Sequence, residues 1–207
     1  MRLTASKCGR REFLAVAGCA LLTSAAGERR LFDGASLDGW VRAGNGLWTV
    51  QDNAIVGRSN HQQPGPGYLF TDSEFDDFDL QLEFWISKSG NSGVYVRQPL
   101  RQFGIEGDQR PAHSPGDGVE IQISYKAGNN VTGAVYDRQK ATRLVGAEER
   151  WNAFRIECRG PRLRVWVDGT LVNDFSPLAS RKGAIGFQVH GGKPHDHVVR
   201  FRNIRLA

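Results

Sequence analysis

Strict alternation of apolar and polar residues runs through most of this chain and limits the folds that it can adopt. In residues 78–86, FDLQLEFWI, every second side chain is apolar. Because successive side chains of a β-strand point to opposite faces, this pattern predicts a strand with one buried face. The same period recurs in residues 47–58, 92–99, 118–124, 154–175 and 184–190.

Turn-forming residues separate these segments. Asp52-Asn53 and Asp168-Gly169 are pairs that favour tight hairpin turns, and Gly160-Pro161 marks a further turn. Glycine is frequent, with 25 residues, and no convincing 3.6-residue period extends over ten or more residues. We therefore predict an all-β protein, a two-sheet antiparallel β-sandwich in which each sheet buries one apolar face.

The first 26 residues are predicted to be an export signal rather than part of the fold. A basic start is followed by an apolar run at residues 13–22 and by small residues ending at Ala26, the expected cleavage site. Arg10 and Arg11 resemble a twin-arginine signal. The alternative is a lipoprotein signal with Cys19 as the lipidated residue, although the apolar run before that cysteine is short.

Cleavage would leave residues 27–207 as a single domain, periplasmic or secreted, without a membrane span. Four of 27 basic and one of 22 acidic residues would be removed, so the formal charge would fall from +5 to +2. The basic character of the whole chain therefore gives little reason to expect a nucleic-acid partner. Cys158 would be the one remaining cysteine, and we predict that it is a buried apolar side chain.

The polar face of the strands supplies a candidate site. If all apolar positions face the core, the opposite positions carry a titratable pair, Glu120 and His190, with side chains suited to binding a sugar. These are predicted to contact substrate, together with Asn91 and Tyr136 from nearby loops. The predicted binding residues are Glu83, Trp85, Asn91, Tyr95, Arg97, Gln122, Tyr136 and Gln188.

Simpler interpretations stay open for several of these residues. Glu120 suits a solvated sheet face and His190 a solvated turn as well as a site, and Arg97 suits a cross-strand pair with Glu83. Histidines also cluster in HGGKPHDH, residues 190–197, but this spacing matches no established metal signature. We expect no cofactor, with a divalent metal as the less favoured alternative.

Ordered motifs add a family resemblance. The segments LFDGASLDGW, GYLFTDSEFDDFDLQLEF, GNSGVYVRQP, GVEIQI, GAVYD, RWNAFRIECRGPRLRVWVDGTLVND, GAIGFQVHGG and VRFRNIRL occur in this order. Together they resemble the 3-keto-disaccharide hydrolase domain family across residues 31–206. The resemblance implies a concanavalin-like jelly roll, an extracytoplasmic setting and action on sugars. The loop from Gln98 to Asp117 departs from the family pattern, so the substrate is the least transferable property.

The activity implied by this resemblance is cleavage of 3-keto-glycosides. A 3-keto group acidifies the proton at C2, so that a base and an acid can eliminate the glycosidic oxygen from C1 before water adds. Glu120 and His190 are predicted to divide these two roles, with Arg97 or a metal stabilising the charge at the 3-oxygen. The alternative is a non-catalytic carbohydrate-binding module, which would need the same amide and aromatic side chains.

Overall fold

A computed structural model describes residues 28–63, 65–100, 118–191 and 197–207. The predicted export signal, including Arg10, Arg11 and Cys19, lies outside these residues. Within them the protein consists of strands, turns and loops without an α-helix. The thirteen strands are β1 Arg29–Arg30, β2 Trp40–Gly44, β3 Leu47–Gln51, β4 Ala54–Arg58, β5 Gly67–Phe75, β6 Phe78–Ile86, β7 Ser92–Gln98, β8 Val119–Ile123, β9 Asn152–Arg159, β10 Arg162–Val167, β11 Thr170–Phe175, β12 Gly183–Val189 and β13 Val198–Leu206.

These strands form two antiparallel sheets. The larger sheet has eight strands in the order β11-β10-β9-β6-β13-β4-β3, with β1 paired to β13. The smaller sheet has five strands in the order β2-β5-β12-β7-β8. The predicted all-β, two-sheet antiparallel sandwich is therefore confirmed.

The hydrophobic core lies between the sheets and contains the alternating apolar residues. Leu80, Leu82 and Phe84 of β6 are buried there from the larger sheet, and Ile121 and Phe187 from the smaller one. Cys158 of β9 belongs to the same core cluster, as predicted, and burial raises the pKa of its thiol to about 12. Each sheet therefore turns its polar positions outwards, on opposite sides of the molecule.

The turns follow the sequence prediction. Asp52 and Asn53 have φ angles of 51° and 56° and join β3 to β4, as a two-residue hairpin turn requires. Asp168 and Gly169, at 45° and 76°, join β10 to β11 in the same way.

Within the described part of the chain, no helix is long and apolar enough to cross a bilayer.

One irregularity bears on the predicted site. Between Tyr95 and Gln98, strand β7 has one residue more than the facing segment of β12 between Ala184 and Gly186. Arg97 lies within this bulge and has a φ angle of 52°. A bulge of this kind redirects a side chain from the face that simple alternation assigns to it.

Candidate functional site

The outer face of the five-stranded sheet brings together polar side chains from four neighbouring strands. Strands β8, β7, β12 and β5 are adjacent in the sheet, and Tyr95 of β7 pairs directly with Glu120 of β8. Gln188 of β12 pairs with Tyr68 of β5 on its other side. The outward-facing side chains of these four strands therefore lie side by side on one surface.

A cavity of about 140 Å³ opens on this surface. It contains both predicted catalytic residues and four of the predicted binding residues. Its lining is Pro66, Tyr68, Asn91, Glu120, Gln122, Tyr136, Gln188 and His190. The structure thus brings six of the predicted residues together in one cavity. That they form a functional site, and their chemical roles, stay predictions.

Glu120 lies on the floor of the cavity and is only 6% exposed. The Tyr95 hydroxyl donates a hydrogen bond of 2.9 Å to Glu120 Oε2, and Gln188 Nε2 donates to that hydroxyl at 3.3 Å. Burial raises the pKa of the Glu120 carboxyl to about 7, against the opposing effect of the Tyr95 hydrogen bond, and the nearby Asp137 charge adds to the rise. This carboxyl therefore exchanges its proton near neutral pH.

Gln122 and Asn91 form an amide pair on one wall. Gln122 Nε2 donates to Asn91 Oδ1 at 3.0 Å, and both residues line the cavity. Gln122 Oε1 is buried and accepts no hydrogen bond from the described residues. Because buried acceptors are normally satisfied, this oxygen indicates a place for a ligand hydroxyl or a water.

His190 lies at the exposed rim, directly after strand β12. Its backbone N–H donates to the Asn91 carbonyl at 3.2 Å, which fixes the chain beside the amide pair. Partial burial, followed by the positive charge of Lys126, lowers the pKa of the imidazole. The ring is therefore mainly neutral at pH 7, when it can accept a proton.

Tyr136 completes the rim from the loop after β8. Its backbone N–H donates to the Glu120 carbonyl at 2.9 Å. The loop is closed by Asn130, whose side chain bonds both the carboxylate and the backbone N–H of Asp137 at 2.7 and 3.1 Å. Tyr136 is half-buried, so its ring presents a surface on which a sugar can pack.

Tyr68 and Pro66 are the two cavity residues that the sequence did not predict, and Tyr68 is the one with a polar group. It belongs to Tyr68-Leu69-Phe70, a run without polar residues, so alternation gave no reason to assign it to a polar face. Its ring makes an edge contact with Tyr95 at 5.7 Å. Burial and the Glu120 charge raise the pKa of its hydroxyl, which therefore keeps its proton and can act as a donor.

Glu83 and Trp85 do not belong to this site, contrary to the prediction. Both lie on β6 of the eight-stranded sheet and face outwards on the other side of the sandwich. Glu83 Oε2 accepts a hydrogen bond from Arg202 Nε at 2.6 Å, and the Arg200 guanidinium lies 5.2 Å from the Trp85 ring centre. Alternation identified both as outward-facing but could not say on which sheet.

Arg97 also lies away from the cavity. It is 1% exposed, and its guanidinium donates to the carbonyls of Asp76, Gly160 and Ser180 and to the Asp77 carboxylate. None of these partners lines the cavity. The predicted place of Arg97 beside Glu120 is therefore wrong. The β7 bulge explains the difference, since the side chain lies instead against the turns that follow β5 and β9.

The histidine cluster is only partly described. His190 and His197 have ring centres 6.0 Å apart, whereas His195 and Asp196 lie outside the described residues. Across the residues that the structure describes, no group of three or more His, Cys, Asp or Glu side chains is arranged to hold a metal ion. The choice between no cofactor and a divalent metal stays a prediction.

The two antiparallel sheets and their packing identify the protein as a concanavalin-like β-sandwich. The family follows from the sequence, since residues 27–207 match the 3-keto-alpha-glucoside-1,2-lyase-like domain, and the chain belongs to this family. The resemblance noted in the sequence motifs is thereby confirmed.

Individual relatives are more distant. A 3-keto-disaccharide hydrolase of Bacteroides thetaiotaomicron is 32% identical over 83 residues, which are 36% of this chain and 29% of that protein. The match thus spans less than a third of the curated relative. A candidate glycosyl hydrolase from Parabacteroides distasonis has a similar structure, with a TM-score of 0.69 and 21% identity over 87% of this chain and 93% of that one. The carbohydrate-binding module CBM66 of Bacillus subtilis has a TM-score of 0.57 and 17% identity, over 82% and 96% of the two chains. At these identities, the two structural similarities concern the fold.

Proposed function

We propose that this protein cleaves 3-keto-glycosides and that the cavity above Glu120 is its active site. The observation that carries the proposal is the convergence of Glu120, His190, Asn91 and Gln122 on one small cavity in a member of this family. Two groups able to transfer a proton stand beside amides that bind hydroxyls and carbonyls. Elimination next to a ketone requires this combination.

The size of the cavity indicates how the substrate binds. A volume of about 140 Å³ is well below the roughly 300–1,000 Å³ of sites that enclose a drug-sized ligand. The cavity therefore suits one sugar ring, the oxidised one, while the second sugar extends beyond it. Selectivity for the second sugar is then set outside the cavity.

The proposed reaction begins at C2 of the oxidised ring. A base takes the C2 proton, and the electron pair is delocalised onto the 3-oxygen as an enediolate. Those electrons then form the C1–C2 double bond as the C1–oxygen bond breaks, and the leaving oxygen takes a proton from an acid. Addition of water returns a hydroxyl to C1 and a proton to C2, which completes a net hydrolysis.

His190 and Glu120 divide the two proton transfers. His190 is the base, since its imidazole is at the rim and its lowered pKa keeps it neutral. Glu120 is the acid, since its pKa near 7 leaves a large protonated fraction at neutral pH. Environments that move two titratable groups in opposite directions are the usual way in which acid and base roles are separated.

Stabilisation of the enediolate falls to neutral donors. Asn91 and Tyr68 line the cavity and carry neutral donors, an amide nitrogen and a protonated hydroxyl, whereas Arg97 does not line it. Gln122 Oε1, which lacks a partner among the described residues, accepts a hydrogen bond from a sugar hydroxyl. In a buried site, one such donor contributes roughly 3 kcal/mol to the stabilisation of a developing oxyanion.

The direct test is incubation of the purified protein with 3-keto-trehalose and 3-keto-sucrose, with loss of the keto-disaccharide followed by mass spectrometry. We expect turnover that falls at least about a hundredfold in His190→Ala and in Glu120→Gln. Lys88→Ala, an exposed residue that does not line the cavity, is the control and should retain full activity. Absence of turnover on both sugars would refute the proposal.

A second substrate separates the acid from the base. In 4-nitrophenyl 3-keto-glucoside the leaving group needs no proton, so Glu120→Gln should recover most of its activity and His190→Ala should not. Exchange of the C2 hydrogen with deuterated water, followed by NMR, should likewise persist in Glu120→Gln and disappear in His190→Ala. The reverse pattern would exchange the two roles.

Sugar binding without catalysis is the second candidate function. The Gln122 acceptor and the half-buried Tyr136 ring would hold a sugar whether or not it reacts. In that case, 3-keto-sugars would bind with measurable affinity and be recovered unchanged.

We further propose that the protein acts outside the cytoplasm, on the basis of its export-signal sequence.

A further inference from the structure

A β-bulge shapes the outer face of the eight-stranded sheet. Between Arg202 and Arg205, strand β13 has one residue more than the facing segment of β6 between Glu83 and Gln81. Asn203 lies within this bulge, with a φ angle of 54°, and is exposed. Bulges often redirect side chains towards functional surfaces, and this bulge is not needed by the site at Glu120.

Two cavities adjoin at the bulge. One of about 440 Å³ extends over β6, β9 and β10, and the other of about 380 Å³ extends towards the β3–β4 turn. Asn203 and Arg205 line both, so the two cavities adjoin along this face, and together they are called the groove. The groove is several times larger than the cavity above Glu120 and lies on the opposite side of the sandwich.

Trp166 forms one wall of the larger cavity. Its half-buried indole has the Arg155 guanidinium 4.4 Å from the ring centre, and Asp79 holds that guanidinium through bonds of 2.6 and 2.9 Å. Gly169 lines the mouth, where a side chain would meet no atom within 4 Å. The Arg164 guanidinium also lies near the ring, 5.3 Å from its centre. The indole is therefore held in place by two arginines before any ligand arrives, and because it is only half-buried, part of its surface stays exposed in the cavity.

The charges of the groove favour a neutral ligand. Arg155 is paired with Asp79, and Arg205 with Glu28 at 2.9 Å, so an anion would have to displace existing carboxylates. Gln81 and Asn203 add neutral amides to the lining. A polyol can donate to the carboxylates, accept from the guanidinium groups and stack on the indole, and an extended carbohydrate chain combines these properties.

We propose that this groove is a second, non-catalytic binding site for an oligosaccharide of several units. It would keep the protein on a glycan while the cavity above Glu120 acts on a terminal, oxidised ring. The inference does not depend on the proposed catalytic activity. A protein that binds sugars without cleaving them would possess the groove equally.

Calorimetric titration of the exported form of the protein with cellotetraose, maltotetraose and xylotetraose tests the proposal. We expect binding of at least one tetrasaccharide, weakened roughly three- to tenfold in Trp166→Ala through loss of stacking. Asn203→Gly, which keeps the positive φ accessible, should weaken binding as well without disturbing the fold. Trp85→Ala is the matched control, because Trp85 lies on the same sheet face but outside the groove.

The same preparations separate the two sites. Trp166→Ala should cleave 3-keto-disaccharides at the parent rate, and Glu120→Gln should bind the tetrasaccharides with the parent affinity. Absence of binding to all three tetrasaccharides would overturn the proposal. So would binding that Trp166→Ala leaves unchanged, or binding that Glu120→Gln abolishes, since the sugar would then occupy the other cavity.

Discussion

The carboxylate of Glu120 occupies the space that the missing side chain of Gly93 leaves on the neighbouring strand. A Cβ atom placed on Gly93 would lie 2.2 Å from Glu120 Oε1 and 2.6 Å from its Cγ. Real atoms do not approach so closely, so the carboxylate must move if any side chain is present at residue 93. The position of the proposed catalytic acid thus depends on a glycine one strand away.

Gly93→Ala should therefore lower kcat on a 3-keto-disaccharide by roughly a hundredfold, because misplacement of a catalytic group by about 1 Å has an effect of this size. The matched control is Gly57→Ala in the other sheet, where a Cβ would meet the Trp48 ring at 2.6 Å. Both changes overpack a sheet and should cost about 1–3 kcal/mol of stability, but only the first should reduce kcat. Equal activity of the two variants would contradict this dependence.

The stability of the protein should depend on the protonation of Glu120. Below pH 4.5 the carboxyl is protonated in both the folded and the unfolded state and contributes nothing to pH dependence. As the pH rises from 4.5 to about 7, the unfolded chain loses this proton while the folded protein keeps it, so the free energy of unfolding falls. The decrease should be on the order of 3 kcal/mol.

Urea denaturation of the parent protein and of Glu120→Gln between pH 4 and pH 8 measures this contribution. The glutamine variant should lack this part of the decrease and gain stability relative to the parent as the pH rises. If the difference between the two proteins stays constant across this range, the carboxyl does not have a raised pKa.

The hydrogen bond from Tyr95 should set the upper limit of the pH range of activity. As the acid, Glu120 must be protonated, so kcat/KM should fall as the pH rises through about 7. The Tyr95 hydroxyl lowers the pKa of this carboxyl, so Tyr95→Phe should move the alkaline limb of the profile to higher pH. The acidic limb, assigned to His190, should stay in place, and movement of both limbs would count against the assignment.

Arg97 should matter for stability and not for substrate binding. Arg97→Ala would leave the carbonyls of Gly160 and Ser180 without their donor, at a cost of roughly 2–4 kcal/mol of unfolding free energy. Arg202→Ala, which breaks a more exposed pair with Glu83, should cost about 1 kcal/mol or less. Denaturant titrations measure both, and KM for the keto-disaccharide should be unchanged in whichever variants remain folded. A raised KM in Arg97→Ala with unchanged stability would restore the original prediction.

Export is predicted to follow the twin-arginine route. Replacement of Arg10 and Arg11 by lysine should abolish the periplasmic form, which cell fractionation and immunoblotting detect. The N-terminus of that form should follow Ala26. Lipid-modified Cys19 at the N-terminus would instead identify a lipoprotein, and unchanged yield in the double variant would indicate the general secretory route.

Local patterns were sufficient to predict the strands, their buried faces and the hairpin turns. These features depend on the period of the side chains and on the conformations that residues such as Asn53 and Gly169 accept, which neighbours in sequence determine. The presence of Glu120 and other polar side chains on a common outward surface was also predictable in part. Each of these side chains points away from the apolar, core-facing side chains of its own strand. The period identified four residues of the cavity, Glu120, Gln122, Gln188 and His190, and the neighbouring loops added Asn91 and Tyr136.

The tertiary structure decided which strands belong to the same sheet, and therefore which outward-facing side chains share a surface. Glu83 and Trp85 alternate as regularly as Glu120, but β6 belongs to the other sheet, and strand pairing depends on contacts between residues distant in sequence. Arg97 was misplaced because one extra residue in β7 reverses the side-chain direction. Tyr68 was missed because it belongs to an apolar run, and it lines the same cavity as Glu120 only through the pairing of distant strands. Sequence thus determined the direction of each side chain relative to its own strand, and the packing of strands into two sheets determined its neighbours.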